Sequence, residues 1–505
     1  MKQNKTLLFT LFFILSCGGG GGSTPTPVIS QTPTPPAPPP TQSYEELKTQ
    51  YEGYYQYQSQ WGLDMINAST AYARGATGSG VTIGITDSGL DSTHKEISIT
   101  RLSGDSDLSY ANYTPNTRQQ RHGTMVASVA AGTQETTDAS PMHGVAFDAD
   151  ILFVAIQLAE PDPDYDPVDL GDDDGAGTVS NAPDFTGIDS FFSSLFEVYN
   201  QFDVDIVNNS YGYSGNIIDY TEAQVRNAFP KTIAEMSQIG TPDSQKTIYV
   251  WAAGNAGGYA DQGVDFSSPE LLAGMAYYIP EIQSHSIAVA SVDENGSISS
   301  FSNRCGIAQD YCISAPGGEI TVAYPTSTSD TGIYPQDPTD ENYSRCVLDN
   351  SCFAVANGTS FAAPFVSGGL AVIAGYFEGQ LGSTEIIERL FVTANKTGIY
   401  SDKSIYGQGL MDLGAATNPV GQVSAMLTGS LSGPMVPAFF TGIQLTSPSF
   451  GDALSNGVAN QTVIFFDELD APFRGAVKNL TTDYRNQIVN LDGYEHMYQS
   501  TPQII

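Results

Sequence analysis

Three short segments carry side chains able to act on one another: Thr86-Asp87-Ser88-Gly89, His122-Gly123-Thr124 and Gly358-Thr359-Ser360-Phe361-Ala362-Ala363-Pro364. They supply a carboxylate, an imidazole and a hydroxyl. A serine hydroxyl is a poor nucleophile until a neighbour removes its proton. An imidazole, with an ordinary pKa near neutrality, can take that proton and return it, and a carboxylate can orient the ring and stabilise its charged form. Around Ser360, small residues followed by Phe361-Ala362-Ala363 suit a helix start, where free amides and the helix dipole favour negative charge. Pro364 lacks an N–H and is best tolerated near such a start. Taken singly, each segment has a plainer reading. Ser360 would be a helix cap, Asp87-Ser88-Gly89 a turn, and Asp91 a rival to Asp87.

The intervening sequence must gather these residues. Val81–Thr86, Asp150–Gln157, Val204–Asn208, Thr247–Ala252 and Ser286–Val292 are short apolar or β-branched runs, as in buried parallel strands. Helices are expected between them at His122–Gly132, Asp184–Gln201 and Glu222–Gln238. Strands alternating with helices make βαβ units, whose functional residues sit at the carboxyl ends of the strands. Asp87, Ser210 and Asn255 all fall there. The other histidines, His94, His143, His285 and His496, read as structural or as part of the tail.

In content and order, acid then histidine then serine, the three segments resemble those of the subtilisin-like serine proteases, the subtilases. The resemblance runs from about Trp61 to Ala416. It implies an α/β, three-layer fold with a central, mostly parallel sheet flanked by helices. It also implies Asp87, His122 and Ser360 as catalytic residues and Asn255, in Trp251-Ala252-Ala253-Gly254-Asn255, as an oxyanion-hole donor. Ser210-Tyr211-Gly212 and Ala252-Ala253-Gly254 resemble the segments flanking the family's P1 pocket, with Tyr211 in place of the usual leucine. The pocket base falls between Gly257 and Gln283, where an insertion hides residue-level assignment.

Before this region the composition changes. Lys2 and Lys5 precede an apolar run, Thr6 to Leu15, too short to span a bilayer. Ile14-Leu15-Ser16-Cys17 resembles a bacterial lipobox, which implies residues 1–16 as signal peptide and Cys17 as a lipidated residue; an ordinary signal cleaved near Ser16 is the alternative. Residues 17–42, with a glycine run and a Pro/Thr-rich stretch, read as a linker. Residues 43–60 read as a short helical extension, 61–416 as the peptidase-like domain and 417–505 as a small C-terminal extension. Thr417 to Phe473 resembles the segment following the protease domain in autotransporter subtilases, and no alternating-strand run able to build a barrel is expected. No later stretch reads as a transmembrane helix.

The formal charge of −36, from 19 basic and 55 acidic residues, disfavours nucleic acid and suits an exported protein, cationic substrates or calcium. With Cys17 set aside, Cys305, Cys312, Cys346 and Cys352 allow three pairings. The local pairs Cys305–Cys312 and Cys346–Cys352 are favoured because each closes a small loop. The acidic run from Asp162 to Asp174 reads as a solvated loop or a structural calcium site. The expectation is an exported, lipid-anchored serine endopeptidase of the outer membrane or cell surface. It needs no cofactor for its chemistry, takes protein or peptide substrates and meets the membrane only through its anchor. A silent binding scaffold and an esterase or ligase using the same residues are the alternatives.

Overall fold

The computed structural model describes residues 42–108, 119–135, 140–156, 186–213, 215–238, 247–324, 345–346, 352–426, 435–437, 462–476 and 495–496. Six strands form one parallel sheet in the order β2-β1-β3-β4-β5-β6: β1 (Thr82–Asp87), β2 (Asp150–Ala155), β3 (Ile206–Asn209), β4 (Ile248–Ala252), β5 (Ser286–Val292) and β6 (Cys312–Pro316). All five strands expected from sequence are present within one or two residues.

The strands alternate which face they serve. Ile83, Ile85, Ile151, Phe153, Ile206, Val250 and Val289 pack with the helices Gln119–Ala131 and Thr359–Phe377. Leu152, Val207, Tyr249, Trp251, Ala288 and Ala290 pack with the helices Thr186–Gln201 and Pro230–Met236 on the other face. A sheet covered on both sides needs apolar residues on both, which is why its strands read as continuous apolar runs. The result is helix, sheet, helix: three layers.

The structure departs from the sequence reading, or adds to it, at four places. The helix expected over Glu222–Gln238 is two helices, Glu222–Ala228 and Pro230–Met236, because Pro230 cannot donate into the preceding turn. The stretch after Gly317, for which the sequence suggests no strand, contains β7 (Ile320–Tyr324), which pairs antiparallel with β9 (Cys352–Ala356); β9 in turn pairs with β8 (Arg345–Cys346). The helix Thr359–Phe377 is long and apolar enough to cross a membrane by composition, but 83% of its apolar window is buried in the protein. Its apolar circumference reflects its place in the core.

The tail is the fourth of these places. Its described residues include strands of an antiparallel sheet: β10 (Ser424–Met426), β11 (Met435–Pro437), β12 (Thr462–Phe466), β13 (Pro472–Ala476) and β14 (Glu495–His496). Their shortness, and the long segments between them, hid them from periodicity. Phe465 and Phe473 are buried in the main core, with Phe473 edge-on to Phe377 at 5.5 Å. Arg389, on the helix Ser383–Thr393, is fully buried, pairs with Asp467 and donates to Ala416 O and Asn418 O. The tail therefore completes the core. Phe473→Ala is expected to destabilise the protein by about 3–5 kcal/mol, read as a lower denaturant midpoint at constant slope.

The N-terminal extension forms two short helices, Tyr44–Gly53 and Tyr55–Ser59. Buried Gln56 ties it down: Nε2 donates to Met142 O at 2.7 Å, and Oε1 accepts from Glu135 N at 2.7 Å. These contacts lie just beyond the C-terminal end of the helix Gln119–Ala131.

Candidate active site

The acid arrives on a strand. Asp87 is the last residue of β1, fully buried, and follows Thr86, whose hydroxyl is 2.6 Å from Tyr199 Oη. Its Oδ1 accepts from the Ser88 N–H at 2.7 Å. The imidazole arrives on the first turn of the helix Gln119–Ala131. His122 Nδ1 lies 2.8 Å from Asp87 Oδ1 and 3.0 Å from Oδ2. A carboxylate can only accept, so Nδ1 carries the proton and Nε2 presents its lone pair. Gly123 makes the approach possible: a Cβ there would collide with the Gly89 carbonyl behind the acid. Burial pushes the His122 pKa down. The charge and hydrogen bond of Asp87 outweigh that and hold it above its ordinary value. Asp91 is spent elsewhere, accepting from Thr93 N and Oγ1 at 3.0 and 2.6 Å.

Ser360 is the second residue of the helix Thr359–Phe377. It is cross-linked to the end of β3. Pro364 cannot donate to the Ser360 carbonyl, which would otherwise receive the ordinary i+4 helix bond. Ser210 Oγ donates to that carbonyl instead, at 2.8 Å, and Ser360 Oγ donates to Ser210 O at 3.1 Å. Asn208 Nδ2 donates to Ser210 Oγ at 2.8 Å, and Ser367 Oγ donates to Asn208 Oδ1 at 2.9 Å. The hydrogen bond formed by the Ser360 hydroxyl among the described residues is thus to Ser210, while the Phe361 ring lies tilted against the imidazole, its centroid 5.8 Å away.

Asn255 follows β4 and is exposed. Its Oδ1 accepts from Thr359 N at 2.9 Å and from Thr359 Oγ1 at 3.1 Å, which fixes the amide so that Nδ2 is its outward donor. The same hydroxyl accepts from Gly254 N at 3.2 Å. Asn303 holds this loop from behind, accepting from Ala256 N at 2.8 Å and donating to Ser268 O at 2.9 Å. Tyr211 is directed away from the cleft: it stacks on Phe192 and donates to Asn209 Oδ1 at 2.8 Å. The loop Ser210–Gly212 and the loop Ala252–Gly254 lie at the ends of adjacent strands.

This geometry joins the acid to the imidazole, ties the alcohol to the loop after β3 and the amide to the start of the serine helix, all at one sheet edge. A profile described as the Subtilase family matches residues 78–409. The chain belongs to the subtilase family. Among its relatives is an extracellular serine protease of Serratia marcescens, 28% identical over 407 residues, covering 72% of this chain and 34% of that protein. Subtilisin DY of Bacillus licheniformis is 26% identical over 356 residues, covering 70% of this chain and 97% of that protein. The chain therefore spans about a third of the Serratia protease and nearly all of the subtilisin. The solved structure of MycP1, from the ESX-1 type VII secretion system, is similar with a TM-score of 0.45 at 20% identity, covering 71% of this chain and 85% of that one.

Sequence reasoning missed Thr359, Asn303 and Glu270. The first two make only local polar contacts of common type. Glu270 lies in the insertion left unassigned, and only the folded chain shows what it faces. The cysteines fall where local pairing needs them: Cys305 and Cys312 are bonded, with Cα atoms 5.6 Å apart, and Cys346 stands opposite Cys352 across β8 and β9. Asp162 to Asp174 lies outside the described residues, as does Cys17. Among the described residues there is no group of three or more His, Cys, Asp or Glu side chains placed to hold a metal.

Proposed function

We propose that this subtilase is an exported serine endopeptidase in which Ser360 is the nucleophile, His122 the general base and Asp87 its orienting acid. The observation carrying the proposal is the Asp87–His122 pair, which leaves Nε2 unprotonated on the side away from the acid. Substrate entry rotates the Ser360 hydroxyl from Ser210 O onto Nε2. Such bonds tighten only in the complex. Oγ then bonds to the scissile carbonyl carbon as its proton moves to Nε2. The imidazolium returns that proton to the leaving amine as the C–N bond breaks. Water, deprotonated by the same ring, hydrolyses the acyl-enzyme and restores the serine.

The developing oxyanion is held by Asn255 Nδ2 and the Ser360 N–H at the helix start. Asn255→Asp keeps the acceptor that Thr359 uses but removes the donor. It is expected to lower kcat by about 10²–10³-fold while leaving thermal stability near that of the wild type. Equal activity would remove Asn255 from the reaction.

A fluorophosphonate probe tests the assignment. Labelling of the wild type and not of Ser360→Ala supports it; a wild type that stays unlabelled favours a silent scaffold. Peptide against ester turnover separates the endopeptidase from an esterase or ligase. The chemistry needs no cofactor, and a structural role for calcium would appear as a lower melting temperature with chelator. Export rests on the N-terminal sequence and on the extracellular Serratia relative. Membrane tethering through Cys17 rests on the lipobox resemblance; Cys17→Ser would release the protein from membranes.

A further inference from the structure

The Glu270 carboxyl reaches between the two loops that frame the cleft. A Cβ built on Gly212 would collide with its Oε2, and one on Gly254 with its Cδ and Oε1. Gly254 also holds φ +112, so it is doubly barred to larger residues. The backbone aims the side chain: Glu270 N donates to Ala253 O at 2.9 Å, Glu270 O accepts from Gly274 N at 2.8 Å, and Glu270 bridges Asn216 across the loop. The residue as a whole is half-buried, and its carboxyl lies against both loops.

Its surroundings leave the charge unmatched. The group facing the carboxyl is the Asn255 backbone N–H, and no Lys or Arg pairs with it among the described residues. Burial pushes the carboxyl up to about 7, against the opposing pull of that N–H. A carboxylate drawn out of water without a cation is costly.

The site's position gives the charge a use. Ser210 O receives the Ser360 hydroxyl, and Gly254 N donates to Thr359 Oγ1. The gap between residues 212 and 254 is therefore beside the nucleophile. A substrate whose carbonyl sits over Ser360 Oγ sends the side chain of its acyl-side residue into that gap. A long flexible cation reaches the carboxyl there; an aromatic or branched apolar side chain meets it without a partner. The net charge of −36 draws basic segments toward the molecule as well.

We propose that Glu270 sets the specificity of this site, selecting peptides with arginine or lysine on the acyl side of the scissile bond. The inference rests on the serine-endopeptidase reading above.

The full-length protein at alkaline pH is given peptides differing only at the acyl-side residue: arginine, lysine, citrulline, alanine and phenylalanine. The expected result is cleavage after arginine and lysine, with the uncharged isostere citrulline poorer by roughly 10²-fold or more in kcat/KM. This comparison needs no variant and so no refolding control. In Glu270→Gln the arginine-to-citrulline ratio should collapse toward one. A wild type that prefers alanine or phenylalanine, or treats citrulline as arginine, overturns the proposal. Fluorophosphonate labelling of the same preparation separates the failures: a labelled enzyme with an uncharged preference defeats only the role of Glu270. An unlabelled one defeats the peptidase reading and this inference with it.

Discussion

Ser360→Ala should lower kcat on peptide substrates by on the order of 10⁶-fold. In the proposed mechanism the nucleophile and base act as one unit. Without Oγ, the unprotonated Nε2 has nothing to deprotonate except water, and the acyl-enzyme cannot form. The residual rate would come from Asn255 and from substrate positioning alone. The structural cost should be slight, because the helix carbonyl at 360 keeps its bond from Ser210 Oγ, which involves the backbone and not the deleted hydroxyl. An unchanged melting temperature alongside lost turnover is the expected signature. Retained turnover would place the chemistry on another residue.

Asp87→Asn should cost about 10⁴-fold in kcat, since an amide can donate to Nδ1 and stabilise the wrong tautomer, leaving the proton on Nε2. It should also move the pH profile, and the sign follows from the charges. As the proposed base, His122 must be neutral to accept a proton, so activity should fall as pH drops through its pKa. Asp87 holds that pKa above the ordinary 6.5. The acid limb of the wild type should therefore lie above pH 6.5, and removing the carboxylate should shift it downward. A limb that stays put in Asp87→Asn would mean that another group titrates there.

The parts of this molecule that sequence made legible are those set by local pattern. The five strands announced themselves because a sheet covered on both faces must be apolar throughout, and their ends located Asp87, Ser210 and Asn255. The helix bearing Ser360 could be read from its small residues and Pro364. What stayed hidden depends on distant contacts. The Ile320–Tyr324 run is β-branched and short, and its partner at Cys352–Ala356 lies some thirty residues on, across a polar stretch that obscured the hairpin. Phe465 and Phe473 belong to strands of five residues each, too short for periodicity to separate from loop. Glu270 looked like one acidic residue among many; its significance arises from two glycines, Gly212 and Gly254, on other loops that leave room for it.

The attachment of Gln56 fixes how the molecule would face if held by its leading segment. Met142 and Glu135 take that glutamine beyond the last turn of the histidine helix, while His122 stands in the first. At 1.5 Å per residue, the nine residues from His122 to the helix end at Ala131 put about 14 Å of rigid rod between them. A mooring before Ser43 would thus grip the back of the body and point the mouth of the cleft outward. Reach would then be governed by the length of the leash, and bulky neighbours would meet the blade before the rope.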